Sequence, residues 1–432
     1  MLQRGHRFNI ESNRSQVLTR SIDAVRRNYQ RPMWTQLLCL FVLIVISDRK
    51  LSAKEPLKVF VLAGQSNMVG HARAHTIATL FASDSPRDRE LLDLILSENH
   101  GLSRESLENQ LSRARQIDEL TGGIKNDKVN ALPEGEQKAA LVEKSDALKA
   151  EHEAYKKMVA EKCRISDRVY IHSIADRNKQ TGMLKIGCGA DASKIGPEYG
   201  FGLTMESELV GPILIIKTSW GGKSLHYNFR PPSAGEYVLN DKEQASDKAQ
   251  EIKANAGLNY RLMMEEVNQV LSDLGSYHPE YDPNVGHKMC GFVWFQGFND
   301  QFAPEFRDAY QQNMITFIGD VRADLMTPDL PFVIGVLGTA VTPEKIAENP
   351  VSVAQRAAAE QLGSENGVTA VESYLHYSHY SNAVFEKGWP EHYHEWDTVG
   401  SDRPYHYLGS GAFFVRLGNA FATSMLDLIE NN

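Results

Sequence analysis

Cysteine is scarce in this chain: four residues in 432, at positions 39, 163, 188 and 290, with no two at CxxC spacing. That scarcity excludes a zinc-finger framework and a disulfide-stapled miniprotein, both of which need cysteines paired at short intervals. An excess of basic charge is also lacking, since 46 Lys and Arg face 55 Asp and Glu for a formal net charge of -9. A nucleic-acid surface needs clustered cations to neutralise phosphates, so no nucleic-acid partner is expected. Long apolar runs are missing as well. The longest, Leu37 to Ile46, has ten residues, about half of the ~20 that a spanning helix needs. With 42% hydrophobic residues, the chain reads as a soluble globular protein with enough apolar material for a sizeable core.

The ten-residue run follows a basic leader: residues 1 to 36 hold seven Arg against Glu11 and Asp23. Basic and then apolar is the order of a secretory signal, and Asp48, Arg49 and Lys50 end the run at once. Cleavage after Ala53 is expected to leave residues 54–432 as the mature domain, exported to a periplasm or secreted, with no stable membrane span. A start at Met33 is the alternative, although it strips the signal of its Arg residues. Cys39 leaves with the leader. Cys163 and Cys188 are then a candidate pair in an oxidising compartment, and Cys290, which opens an apolar run, reads as a buried free thiol.

Short apolar runs bounded by Gly or polar residues recur at Leu57 to Ala63, Pro212 to Thr218, Cys290 to Phe295, Phe332 to Leu337 and Val368 to Val371. Runs of this length read as buried strands. Helical stretches lie between and after them, at Asn259 to Leu274, Glu305 to Leu325, Val353 to Leu362 and Gly411 to Ile429. Alternation of this kind predicts an α/β fold, a mostly parallel sheet with helices on both faces, whose ligand crevice lies at the carboxyl ends of the strands. Ser83 to Glu161 breaks the rhythm, being crowded with Glu, Lys, Arg, Ala and Leu. It is expected to be a charged helical insertion, with Leu141, Leu148, Tyr155 and Val159 as its buried stripe. Dimerisation and a solvated flap are the two roles open to it.

Chemistry is to be sought just past the strands. After the first comes Gly64-Gln65-Ser66-Asn67-Met68; after the second, Trp220-Gly221-Gly222-Lys223-Ser224; after the third, Trp294-Phe295-Gln296-Gly297-Phe298-Asn299-Asp300. Asp402 and His406 stand ahead of the closing helix. A Ser at a strand-to-helix turn has either of two uses, as a helix N-cap or as a nucleophile whose own N–H faces the developing oxyanion. Ser, Gly, Asn and Asp-then-His in this order resemble the SGNH hydrolase superfamily. The strings GQSNM, WGGKS and WFQGFND are similar to its carbohydrate-esterase branch, the sialate O-acetylesterases and acetylxylan esterases. Gly196-Pro197-Glu198 is similar to the segment that leads into that branch's next helix.

The resemblance implies a flavodoxin-like three-layer α/β/α sandwich and a serine esterase that removes O-acetyl groups from a carbohydrate, with no cofactor and no metal. It makes Ser66 the nucleophile, His406 the general base and Asp402 the acid that orients it. The oxyanion donors expected are Ser66, Gly221 or Gly222, and an amide of Gln296 or Asn299. Gln65, Asn67, Trp220, Arg230 and Phe295 are the expected substrate contacts, with Trp389 and Trp396 as further sugar-stacking candidates. Asp300 is expected to brace its loop. Two features depart from the pattern. Asp402 stands four residues before His406 where three is usual, which leaves Asp397, Glu395 or a backbone carbonyl as alternatives. Phe298 stands where the sialate branch often has Glu. The rival functions are an esterase or lipase for non-sugar esters, a carbohydrate-binding protein on a degraded scaffold, and an assembly role for the insertion. His376, His379, His392 and His394 are spaced loosely enough to read as solvated or substrate-facing side chains rather than metal ligands.

Overall fold

Five of the apolar runs form neighbouring parallel strands, because a strand covered by helices on both faces must be apolar on both. The computed structural model describes residues 54–124, 128–129, 131–339 and 342–431. The leader, its cleavage point and Cys39 lie outside them. The strands are β1 (Leu57–Gly64), β2 (Ala72–Arg73), β3 (Val169–Ile174), β4 (Lys179–Met183), β5 (Lys194–Ile195), β6 (Ile213–Ser219), β7 (His287–Phe295), β8 (Phe332–Val336) and β9 (Val368–Glu372). Seven of them make one sheet in the order β4-β3-β6-β1-β7-β8-β9, and β2 pairs with β5 in a short separate ribbon. All pairings in the main sheet are parallel except β3 with β4, an antiparallel edge.

Helices cover both faces, as expected. Phe60 and Leu62 of β1 join the apolar cluster formed with α5 (Pro197–Glu208) and α10 (Gly411–Asn431). The alternate residues Val59, Val61 and Ala63 join the opposite cluster, with α6 (Leu258–Ser272), α7 (Tyr310–Asp324) and α8 (Pro350–Leu362). This alternation follows from the two-residue period of a strand. α10 is long and apolar enough to cross a bilayer, but its apolar residues from Phe413 to Met425 are spent in the core.

The charged insertion contains α2 (Pro86–Ile95), α3 (Arg104–Thr121) and α4 (Glu136–Lys162). Its buried stripe differs from the expected one. Ser145, His152, Tyr155 and Val159 are the buried residues of α4, whereas Leu141 and Leu148 are only half-buried. The reason is that α3 and α4 dock through buried charge on α9 (Tyr393–Val399). Asp118 accepts the N–H groups of His394 and Glu395 at 3.0 Å each, serving as a cap from another segment. Arg115 reaches Glu395 at 3.1 Å and Lys156 reaches Asp397 at 2.7 Å. The insertion is therefore a docked layer and not a solvated flap.

The candidate pair Cys163 and Cys188 does not form a bridge, and these two, like Cys290 as expected, are buried free thiols. Burial pushes the Cys163 thiol up to about 12 and that of Cys188 to about 11, so neither is a thiolate near neutral pH.

Candidate active site

The ends of three strands meet at one level, since Gly64 of β1 is in register with Ser219 of β6 and Phe295 of β7. All three loops thus leave the sheet side by side. A Cβ on Gly64 would run into the Phe295 carbonyl, so the turn into α1 (Ser66–Val69) demands glycine there. Gln65, not Ser66, holds the N-cap position, and no side chain caps the helix. Ser66 is thus the first residue of α1.

The turn is braced from below. Lys217, fully buried on β6, donates to the Val69 carbonyl at 2.8 Å, the Cys188 carbonyl at 2.9 Å and Glu198 Oε2 at 2.6 Å. Glu198 in turn accepts the Gly196 N–H at 2.8 Å. An ammonium removed from water needs such a full set of acceptors. Sequence reasoning singled out Glu198 only as part of a motif and missed Lys217, whose position in an apolar strand is its one signal.

The block after β7 folds around Gln65. Its Oε1 accepts the Gly297 and Asn299 N–H groups at 3.2 and 3.3 Å and Gln296 Nε2 at 3.1 Å. Its Nε2 donates to Asn299 Oδ1 at 3.1 Å, which fixes that amide with Nδ2 turned away. Gln65 is therefore a buried brace and not a substrate contact. Gln296 is also corrected: its Nε2 is committed to Gln65, the Lys223 carbonyl and Asp300, which leaves it no proton for an oxyanion. Gly221 is corrected on the same ground, its N–H being held by Asp176 at 2.8 Å. Among the described residues, the N–H groups of Ser66 and Gly222 and Nδ2 of Asn299 have no acceptor. Asp300 braces as expected, accepting the Leu225 and His226 N–H groups at 2.9 Å, and burial raises its carboxyl to about 6.

Asp402 faces His406 despite the four-residue spacing, with Oδ1 at 3.1 Å from Nδ1. The turn between them, in which the His406 N–H donates to the Arg403 carbonyl at 2.9 Å, brings the two side chains together, and just beyond it Tyr407 and Leu408 take left-handed conformation, at φ 50° and 62°. Two such residues in succession cost about 1–3 kcal/mol each and need support from their surroundings. Support is present. The Leu408 carbonyl accepts the Ser401 and Asp402 N–H groups at 2.8 and 3.0 Å. The Tyr407 ring stacks on Phe413 at 3.9 Å, and its hydroxyl meets Ser373 at 2.8 Å and the Gly338 N–H at 2.9 Å. Arg403 lies 4.2 Å over the Trp389 ring. Asn67 Nδ2 donates to the Tyr405 carbonyl at 3.2 Å and so ties the Ser66 turn to the His406 loop. Asn67 is therefore also a buried tie rather than a substrate contact.

A second histidine shares the carboxylate. His71 Nδ1 lies 3.3 Å from Asp402 Oδ2, and its ring stacks on that of His406 at 3.9 Å and 8°. Burial would raise the Asp402 carboxyl, but hydrogen bonds from His406, His71 and the Arg403 N–H outweigh it and hold the group well below the usual carboxylate range. Burial lowers His71 from its ordinary value, against the opposing pull of Asp402. Nothing in the sequence marked His71, five residues after Ser66. The three side chains are close enough to suggest a metal. Yet imidazole lone pairs lie in the ring plane, and two parallel rings do not direct them at one point. His152, Glu153 and Asp397 form the other such group, with the Lys156 ammonium 2.7 Å from both carboxylates in the place of a cation.

The remaining candidates are dispersed. Asp397 and Glu395 are committed to the insertion and do not orient His406. Phe295 is buried against Phe421, which corrects its place among substrate contacts. Trp396 is buried too. Arg230 donates to the carbonyls of Gly235, His226 and Ala234 beside a separate surface cavity of about 500 Å³, and is not brought to this site. Trp220 packs on Phe229 at 5.9 Å. His394 is held by Asp118 at 2.8 Å.

Comparison with solved structures gives distant likenesses. A protein from Arabidopsis thaliana is 14% identical over 86% of this chain and 98% of its own, with a TM-score of 0.40. A carbohydrate acetylesterase from Xanthomonas citri is 14% identical over 69% of this chain and 47% of its own, with a TM-score of 0.28. NanS is 11% identical over 74% and 78%, with a TM-score of 0.35. No curated protein matches the chain. A family model does match, over residues 146–392: the carbohydrate esterases described as sialic acid-specific acetylesterases. The match takes in Lys217, Glu198 and the Gln296 to Asp300 block, while Ser66, Asp402 and His406 flank it. Since it covers more than half of the sequence, the chain belongs to this carbohydrate esterase family.

Proposed function

We propose that the protein is an exported serine esterase that removes O-acetyl groups from an acetylated polysaccharide or sialic acid by way of an acetyl-enzyme. The observation that carries this reading is the Asp402 to His406 contact, held by a strained loop and tied through Asn67 to the turn bearing Ser66. Ser66 Oγ attacks the acetyl carbonyl carbon while its proton passes to His406 Nε2. Asp402 keeps Nδ1–H occupied and stabilises the imidazolium that forms. The negative oxygen receives hydrogen bonds from the Ser66 and Gly222 N–H groups and Asn299 Nδ2. On collapse the bond to the sugar oxygen breaks, and His406 returns the proton to that oxygen. Water, deprotonated by His406, then attacks the acetyl-Ser66 ester, and acetate leaves as Ser66 regains its proton.

The test is acetate release from acetylated xylan, O-acetylated sialic acid and 4-nitrophenyl acetate by wild type and Ser66→Ala. Release by wild type alone is expected, and equal release by both sinks the mechanism. Export rests on the basic leader and its ten-residue apolar run. Fractionation should recover a shortened chain outside the cytoplasm, and an intact chain inside it overturns that part.

A further inference from the structure

Three aromatic rings border the reacting groups, two of them exposed and the third only partly packed against the core. Phe302 is 66% exposed and Tyr405 44% exposed, with Phe298 half-buried between them. Phe298 meets Phe302 at 5.2 Å, edge to face, and Tyr405 at 5.8 Å. Tyr405 meets the His406 ring at 4.5 Å. Scattered exposed apolar residues are ordinary, but a contiguous aromatic patch beside reactive groups leaves area uncovered that folding would otherwise bury. The position of the patch also has a direction. Tyr405 meets the ring of His406, which in the mechanism above gives its proton to the departing alcohol, and Phe298 and then Phe302 continue the surface from Tyr405. The rim therefore flanks the leaving-group side of the ester, and the alcohol that leaves a carbohydrate ester is the sugar itself.

We propose that Phe298, Phe302 and Tyr405 form the subsite for the sugar ring that carries the acetyl group, an inference that rests on the esterase reading above. A pyranose has a face of C–H groups with its hydroxyls turned to the edge, and a flat aromatic surface takes the first while leaving the second in water. The rim selects the leaving group and leaves acyl selection to the oxyanion side. Neither Phe302 nor Tyr405 is a core residue, so their replacement does not remove packing that holds the fold.

The test separates the two sides of the ester. Wild type, Phe302→Ala, Tyr405→Ala and Phe302→Trp are compared on acetylated xylan, O-acetylated sialic acid, and trifluoroethyl acetate and butyrate, two activated esters with no ring in the alcohol. For each alanine variant, the ratio of kcat/KM on the better sugar substrate to that on trifluoroethyl acetate is expected to fall about tenfold, the scale of one lost stacking contact. Phe302→Trp should restore the ratio to within about twofold of wild type, and the acetate-to-butyrate ratio should stay within about twofold throughout. A shift in acyl preference with the sugar ratio unmoved makes the rim an acyl pocket and overturns the proposal, as does a change in oligomeric state with both ratios intact. Failure of the esterase reading is distinct: wild type would then leave trifluoroethyl acetate as untouched as Ser66→Ala does.

Discussion

Two carboxylates, buried Asp397 and half-buried Asp402, stand five residues apart, and each is pulled well below the usual carboxylate range by imidazole partners. Their settings differ in what is left over. Beside Asp397, His152 is engaged on both ring nitrogens, by Gln110 at 2.5 Å and Asp397 at 3.4 Å, and Lys156 supplies the neutralising charge. Around Asp402, His406 uses Nδ1 alone, and among the described residues its Nε2 has no partner. The same residue types thus make a clasp in one place and, under the proposed mechanism, a proton-transfer group in the other. The difference is one unspent ring nitrogen.

Substitution of the two acids should break this symmetry most sharply. Asp402→Asn is expected to lower kcat by about 10³- to 10⁴-fold, because it loses the group that holds the His406 tautomer, with some loss of stability from its weakened bonds to His71 and the Arg403 N–H. Steady-state kinetics beside thermal unfolding would read both. Asp397→Asn should act chiefly on stability, costing about 1–3 kcal/mol because His152 loses its charged acceptor and half-buried Lys156 keeps only Glu153. Its folded fraction should keep kcat within a few-fold.

That stability gap should itself depend on pH. Burial tends to raise Asp397, but the His152 hydrogen bond and the His75 and Lys156 charges prevail and depress it. A depressed carboxyl contributes stability above its unfolded value of about 3.9 and loses it as pH falls toward the folded one. Urea melts at pH 7 and pH 3 should therefore show the difference between wild type and Asp397→Asn shrinking in acid, and a gap that stays constant contradicts the assignment. The smallest effect is expected at Trp389→Ala, which removes the ring under Arg403. A cost of about 0.5–1 kcal/mol fits a half-exposed cation–π contact, with kcat lowered only a few-fold because Asp402 keeps its other bonds.

Much of this arrangement is legible in the sequence, and the misses have physical causes. The five central strands read as apolar runs because helices cover both of their faces. β3 went unread because His172 and Ser173 interrupt its apolar residues, and β4 because it is an edge strand whose residues alternate between exposed and half-buried. The turn at Ser66 was visible through Gly64 and the polar residues around it. Asp402 was the doubtful member because spacing along the chain does not reveal the turn between Arg403 and His406 that brings the two side chains together. Gln65, Gln296 and Asn67 were placed among groups facing substrate because an amide beside a nucleophile has two uses. Which of them it serves depends on partners more than two hundred residues away, as the bonds from Gln65 and Asn67 illustrate.

The central claim is that Ser66 carries the acetyl group between the sugar and water. Acid quenching of the enzyme during turnover, followed by mass spectrometry of its peptides, tests it most directly. The account predicts one acetyl group on the peptide containing Ser66 in the wild type and none in Ser66→Ala. Full acetate release with no acetylated peptide, and undiminished release by Ser66→Ala, would contradict it.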